Sequence, residues 1–140
     1  GIPIGLAVDG SASNDGSSLL EEMRIAYLLH RLTSADKALS GYDVLKLATR
    51  GGAALLGRSD IGYLSAGMAA DFFAVSKDRL ELAGASFDAR NMLGTVGVKG
   101  PVDYTVVNGK VVVEKGCLRG IDEGDITRHV YQCSQDIQNT

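Results

Sequence analysis

The sequence predicts an α/β chain, and three observations carry that expectation. An apolar run over 2–8 meets an acid and a small-residue loop, two segments with apolar residues three and four apart follow it, and β-branched stretches around an Asn-Gly turn come later. Helical spacing thus gives way to strand-like runs along one polypeptide.

The opening run Ile2-Pro3-Ile4-Gly5-Leu6-Ala7-Val8 predicts a strand buried on both faces. Asp9 then stands at its C-terminal end, ahead of Gly10-Ser11-Ala12-Ser13-Asn14-Asp15-Gly16. Barrel enzymes place catalytic groups at such strand ends, because rigid strands aim side chains at one mouth. The local pattern equally suits an Asx-type turn, in which the carboxylate accepts amide protons of the following loop. Both readings of Asp9 stay open on the residues alone.

A helix is predicted over 18–32, with Leu19, Leu20, Met23, Ala26, Tyr27 and either Leu29 or His30 on its apolar face. Ser18 and Glu21 have the spacing of a capping box. Glu21 and Glu22 lie in the first turn, where the helix dipole favours negative charge, and Arg24 and Arg31 fall later. After a polar stretch at 33–40, a second helix is predicted over 42–56 through Val44, Leu45, Leu47, Ala48 and Leu55. Gly51-Gly52 inside it either divides two helices or permits close packing, and Gly57 supplies a C-cap.

Beyond Arg58 the stretches 70–75 and 102–107 read as strands. Asn108-Gly109 predicts a type I′ turn, pairing 104–107 with 110–114 as a hairpin. The glycines of 62–67 resemble a phosphate loop in spacing, but Met68 and Ala69 replace its lysine and hydroxyl residue, so a turn is expected. Gly94, Gly97 and Gly100 lack the strand-then-helix setting of a dinucleotide site and read as a loop before Pro101. In the tail, Asp122 precedes Ile126, Val130, Cys133 and Ile137, a helix expected to pack on what comes before it.

Composition narrows the function classes. The 140 residues, 45% hydrophobic, suffice for one core but fall short of the about 250 residues of a complete barrel. With 14 basic and 17 acidic residues the net charge is -3, which argues against nucleic acid as a partner. No apolar stretch reaches the roughly 18 residues of a bilayer span, and no signal-peptide pattern opens the chain, so no membrane partner and a cytoplasmic location are expected. Cys117 and Cys133 read as reduced thiols. A Gly-x-Ser-x-Gly elbow is missing, so a serine hydrolase has no support.

The segments 8–15, 21–24, 48–57, 60–71 and 106–113 together resemble the amidohydrolase superfamily, in the branch of triazine hydrolases, guanine deaminases and 8-oxoguanine deaminases. Ala66 and Met68 depart from it, standing where the family usually has Pro and Lys. The resemblance implies the C-terminal part of a (β/α)8 barrel, its last strand and helix, over 1–57. A portion of a small β-sandwich domain over 58–120 and a C-terminal helical tail over 121–140 would follow. It also implies a metal-dependent aminohydrolase that hydrolyses a C–N bond of a purine- or triazine-like amino-heterocycle such as 8-oxoguanine.

In that family, zinc or iron is held by a His-x-His pair and further histidines. Here His30 falls in the first helix and His129 in the tail, without ligand spacing, so the ligand-bearing N-terminal region is expected outside this chain. The resemblance makes Asp9 the last-strand aspartate, which contacts the metal-bound water, sometimes the metal, and shuttles the proton to departing ammonia. Ser11, Ser13 and Asn14 would border the substrate, although capping and turn formation also account for them. Alone, the chain is expected to be inactive and metal-free, and to self-associate or to join the missing N-terminal part through its uncovered apolar surface. The alternative is a non-catalytic binding or assembly module.

Overall fold

Ser18 opens the first helix: its hydroxyl accepts from the Glu21 amide at 3.4 Å, and α1 runs over Leu19–Ser34. The structure is a computed structural model that describes residues 1–139. Met23 of α1 is buried, whereas Ile25, Leu28, Leu29 and Leu32 are exposed. The helix runs on past 32 and ends in a 3-10 turn at Ala35–Lys37. His30 serves this corner, its Nδ1 accepting from the Leu39 amide at 3.2 Å.

Ser40 then caps α2 (Gly41–Lys46) through a full capping box: its hydroxyl accepts from the Asp43 amide, and the Asp43 carboxylate accepts from the Ser40 amide. The helix widens into a π-helical turn at Leu47–Gly51 and resumes as α3 (Gly52–Leu55). Gly57, at φ 64, ends it in the left-handed region, as its position predicts. The glycine pair serves close packing, because Gly5 and Ile4 cross the helix directly over Gly51.

The segment 2–8 corrects the expectation of a buried strand. It has no regular structure and pairs with no strand among the described residues; its backbone link to the helix is the Leu6 amide on the Leu47 carbonyl at 3.3 Å. Ile2 and Ile4 are 88% and 64% exposed, so burial on both faces fails as well. A strand exists only when a neighbour completes its hydrogen-bond ladder, and apolar composition alone does not supply that neighbour.

One antiparallel sheet follows, ordered β1 (Phe72–Ala74), β2 (Tyr104–Val107), β3 (Lys110–Glu114) and β4 (Cys117–Leu118). Val107 pairs with Lys110 across Asn108 and Gly109, whose φ values of 48 and 76 are those of the type I′ turn predicted. The tip is held from outside, with the Asn108 amide donating to the Asp71 carboxylate and the Gly109 amide to the Ala70 carbonyl. Gly62 and Gly67, both at positive φ, lie in turns as expected.

Between β1 and β2 the chain forms two 3-10 turns and α4 (Met92–Thr95), which packs on α1 and α2. Gly94 therefore lies in a helix rather than in a loop. A Cβ on it would stand 2.7 Å from the Gly41 carbonyl oxygen, so Gly94 is a packing glycine and not a loop glycine. Asn91 locks the crossing, its Oδ1 accepting from the Tyr42 amide at 2.9 Å. Met23, Val44, Ala53, Leu82, Val98 and Val106 are the buried apolar residues.

The tail forms the predicted helix, α5 (Glu123–Gln138), capped by Asp122, but every described residue of it is exposed. The expected packing on preceding elements is thus not present. No helix among the described residues is long and apolar enough to cross a membrane.

Candidate functional site

Asp9 adopts φ 63, a left-handed conformation uncommon outside glycine and best tolerated by Asp and Asn. The Gly10 amide donates to its Oδ1 at 2.7 Å and the Ser13 hydroxyl to its Oδ2 at 3.0 Å. These bonds, the amide foremost, hold its carboxyl below the ordinary value of 3.8. The group is exposed and ionised, and each oxygen keeps lone-pair capacity. Of the two readings left open by the residues, the Asx-type turn is present in part, without using up the carboxylate.

The loop closes around Asp9. The Ser13 and Asn14 amides both donate to the Gly10 carbonyl, at 2.9 and 3.0 Å. Asn14 Nδ2 donates to the Val8 carbonyl and to Glu22 Oε1, both at 2.9 Å, while its Oδ1 accepts from the Gly16 amide at 3.1 Å. Ser11 sits exposed in the intervening turn. The structure thus brings Asp9, Ser13 and Asn14 into one hydrogen-bonded unit, with Ser11 at its rim. Glu22 belongs to the same unit, although its sequence position marks it only as a first-turn acid of α1; the bond to Asn14 depends on how the loop folds back.

These residues do not amount to a metal site. No group of three or more His, Cys, Asp or Glu with that capacity occurs among the described residues. His30 is engaged at the end of α1, and His129 Nδ1 lies 3.1 Å from the Asp125 carbonyl on α5. Cys117 and Cys133 are free and exposed.

A separate groove of ≈ 530 Å³ lies between α2 and β1, walled by Tyr42, Arg50, Tyr63, Phe72 and Phe73 among others. Arg50 stacks over the Tyr63 ring at 5.0 Å. Asp9 is not on its walls.

The chain is thus α/β, with helices first, a small antiparallel sheet after them and an ionised aspartate on its leading loop. Residues 1–112 match the family model described as Amidohydrolase family, and the chain belongs to that family. It is 48% identical over 131 residues to hydroxydechloroatrazine ethylaminohydrolase of Pseudomonas sp. (strain ADP), covering 91% of this chain and 27% of that protein. It is 40% identical over 122 residues to 8-oxoguanine deaminase of Pseudomonas aeruginosa, covering 87% of this chain and 27% of that protein.

Among solved structures, a zinc-complexed atrazine chlorohydrolase from Arthrobacter aurescens TC1 superposes with a TM-score of 0.85 at 36% identity, covering 94% of this chain and 29% of the other. The chain therefore spans under a third of the length of these relatives. The comparisons lend no support to a non-catalytic assembly module.

Proposed function

We propose that this chain is part of a hydrolase that cleaves a C–N bond of a purine- or triazine-like amino-heterocycle, with Asp9 as its catalytic carboxylate. The observation that supports it is the state of Asp9: ionised, exposed and fixed on a loop by Gly10 and Ser13. Such a group accepts a proton from the water that attacks the ring carbon. As the C–O bond forms and the C–N bond breaks, the same oxygen returns that proton to the departing amine. Water is thereby split between ring and leaving group, and Asp9 ends as it began.

The lowered pKa suits a carboxylate that must stay anionic until the attacking water is acidified by its surroundings. Zinc or iron, when bound in a whole enzyme, would supply that acidification. The higher identity to the ethylaminohydrolase than to the 8-oxoguanine deaminase favours an alkylaminotriazine over 8-oxoguanine as substrate.

The test is amine release by the hydrolase containing this chain, offered hydroxydechloroatrazine and 8-oxoguanine in parallel. Ethylamine release from the first at the higher kcat/KM is expected, and no release from either contradicts the reading. For the 140-residue chain alone, zinc after dialysis should fall well below stoichiometric. Light scattering should show self-association through surfaces that include Ile2, Ile4, Leu29 and Leu32, all exposed. Stoichiometric zinc together with turnover would show that the chain needs no further ligands, and a clean monomer would remove the association.

A further inference from the structure

We propose that Glu22 is a positioning residue for Asp9, acting through Asn14; the inference rests on the reading of Asp9 as the catalytic carboxylate. Asn14 straddles Asp9. Its backbone amide holds the Gly10 carbonyl at 3.0 Å, and its side-chain amide holds the Val8 carbonyl at 2.9 Å, so the carbonyls of the two residues that flank Asp9 are held by one residue. With both flanking carbonyls held, the left-handed backbone of Asp9 has little freedom to relax.

The second proton of that NH2 group goes to Glu22 Oε1 at 2.9 Å, and the Asn14 Oδ1 is taken by the Gly16 amide. All three positions on the side chain are therefore assigned, and a flipped amide would set its oxygen against two acceptors. Glu22 sits half-buried on the first turn of α1, a helix of 16 residues. Its charged acceptor strengthens the bond and references the loop to a rigid element. Glu22 touches no reacting atom; it sets where Asp9 stands.

The experiment compares Glu22→Leu, Glu22→Gln and Glu22→Asp in the hydrolase, with Asp9→Asn as reference, on hydroxydechloroatrazine and 8-oxoguanine. Leu removes the acceptor, Asp withdraws it by one methylene, and Gln keeps a carbonyl oxygen in place. Glu22→Leu and Glu22→Asp should each lower kcat by about tenfold or more with KM within about twofold, since small misplacements of a reacting group act on the chemical step. Glu22→Gln should recover most of the loss, a rescue that a general loss of folded protein would not give.

Wild-type kcat in Glu22→Asp and Glu22→Leu, alongside an inactive Asp9→Asn, overturns the role of Glu22 and leaves that of Asp9 intact. Full activity in Asp9→Asn overturns both. Amide hydrogen exchange in the 140-residue chain gives a readout independent of substrate. Exchange at the Asn14 amide should accelerate in Glu22→Leu and return towards wild type in Glu22→Gln, and equal rates in all three overturn the proposal.

Discussion

The carbonyl oxygen of Ile4 rests against Gly51 so closely that a Cβ on that glycine would overlap it. The fit is reciprocal, since a Cβ on Gly5 would stand 3.0 Å from the Gly52 nitrogen and 3.1 Å from the Gly51 carbonyl carbon. This crossing seats the leading segment on the helix, and Asp9 follows it in the chain. Gly51→Ala should gain about 1 kcal/mol in helix propensity and lose about 1–3 kcal/mol to overpacking against backbone that cannot rotate away. A lower urea midpoint is expected. Gly52→Ala, with nothing within 4 Å of its Cβ, should instead be neutral or stabilising.

The capping box of α2 makes folding sensitive to acid. Lys46 beside Asp43, with the Ser40 hydroxyl and amide, holds the Asp43 carboxyl far below its ordinary value of 3.8. A depressed folded-state pKa contributes stability that is fully present above the unfolded value and is lost as pH falls towards the folded one. The thermal midpoint should therefore decline as pH drops below about 4. In Asp43→Asn this part of the decline should be missing, which a pair of melting curves at neutral and acid pH would show.

At the hairpin tip Gly109 has φ 76 and open space where a Cβ would go. Gly109→Ala should lose about 1–2 kcal/mol for conformational reasons alone, the cost of a left-handed L-residue. Equilibrium urea unfolding measures it, and a midpoint equal to that of the parent would count against the type I′ assignment.

What was legible in the sequence was local. Ser18 as a cap, Gly57 as a stop and Asn108-Gly109 as a turn depend on neighbours a few residues away, and all three stand where expected. What was hidden depended on distant chain. Gly94 carries no side chain because Gly41 passes beneath it, more than fifty residues earlier, and nothing near Gly94 records that contact. The segment 2–8 has the composition of a strand but finds no partner ladder among the described residues.

The candidate site divides in the same way. Asp9 stood out by its place after an apolar run and, with Ser13 and Asn14, by the family resemblance; their bonds to one another span only one to six residues. Glu22 was seen only as a first-turn acid. Its bond to Asn14 depends on how the loop folds back over α1, which helical spacing does not encode.

The proposed contribution of this chain to the chemistry is the Asp9 carboxylate, and replacing that group isosterically is the most direct test of it. In the hydrolase containing this chain, Asp9→Asn should lower kcat for amine release by about a thousandfold while KM stays near the parent value. A kcat within about twofold of the parent, in protein shown to be folded, would contradict the account.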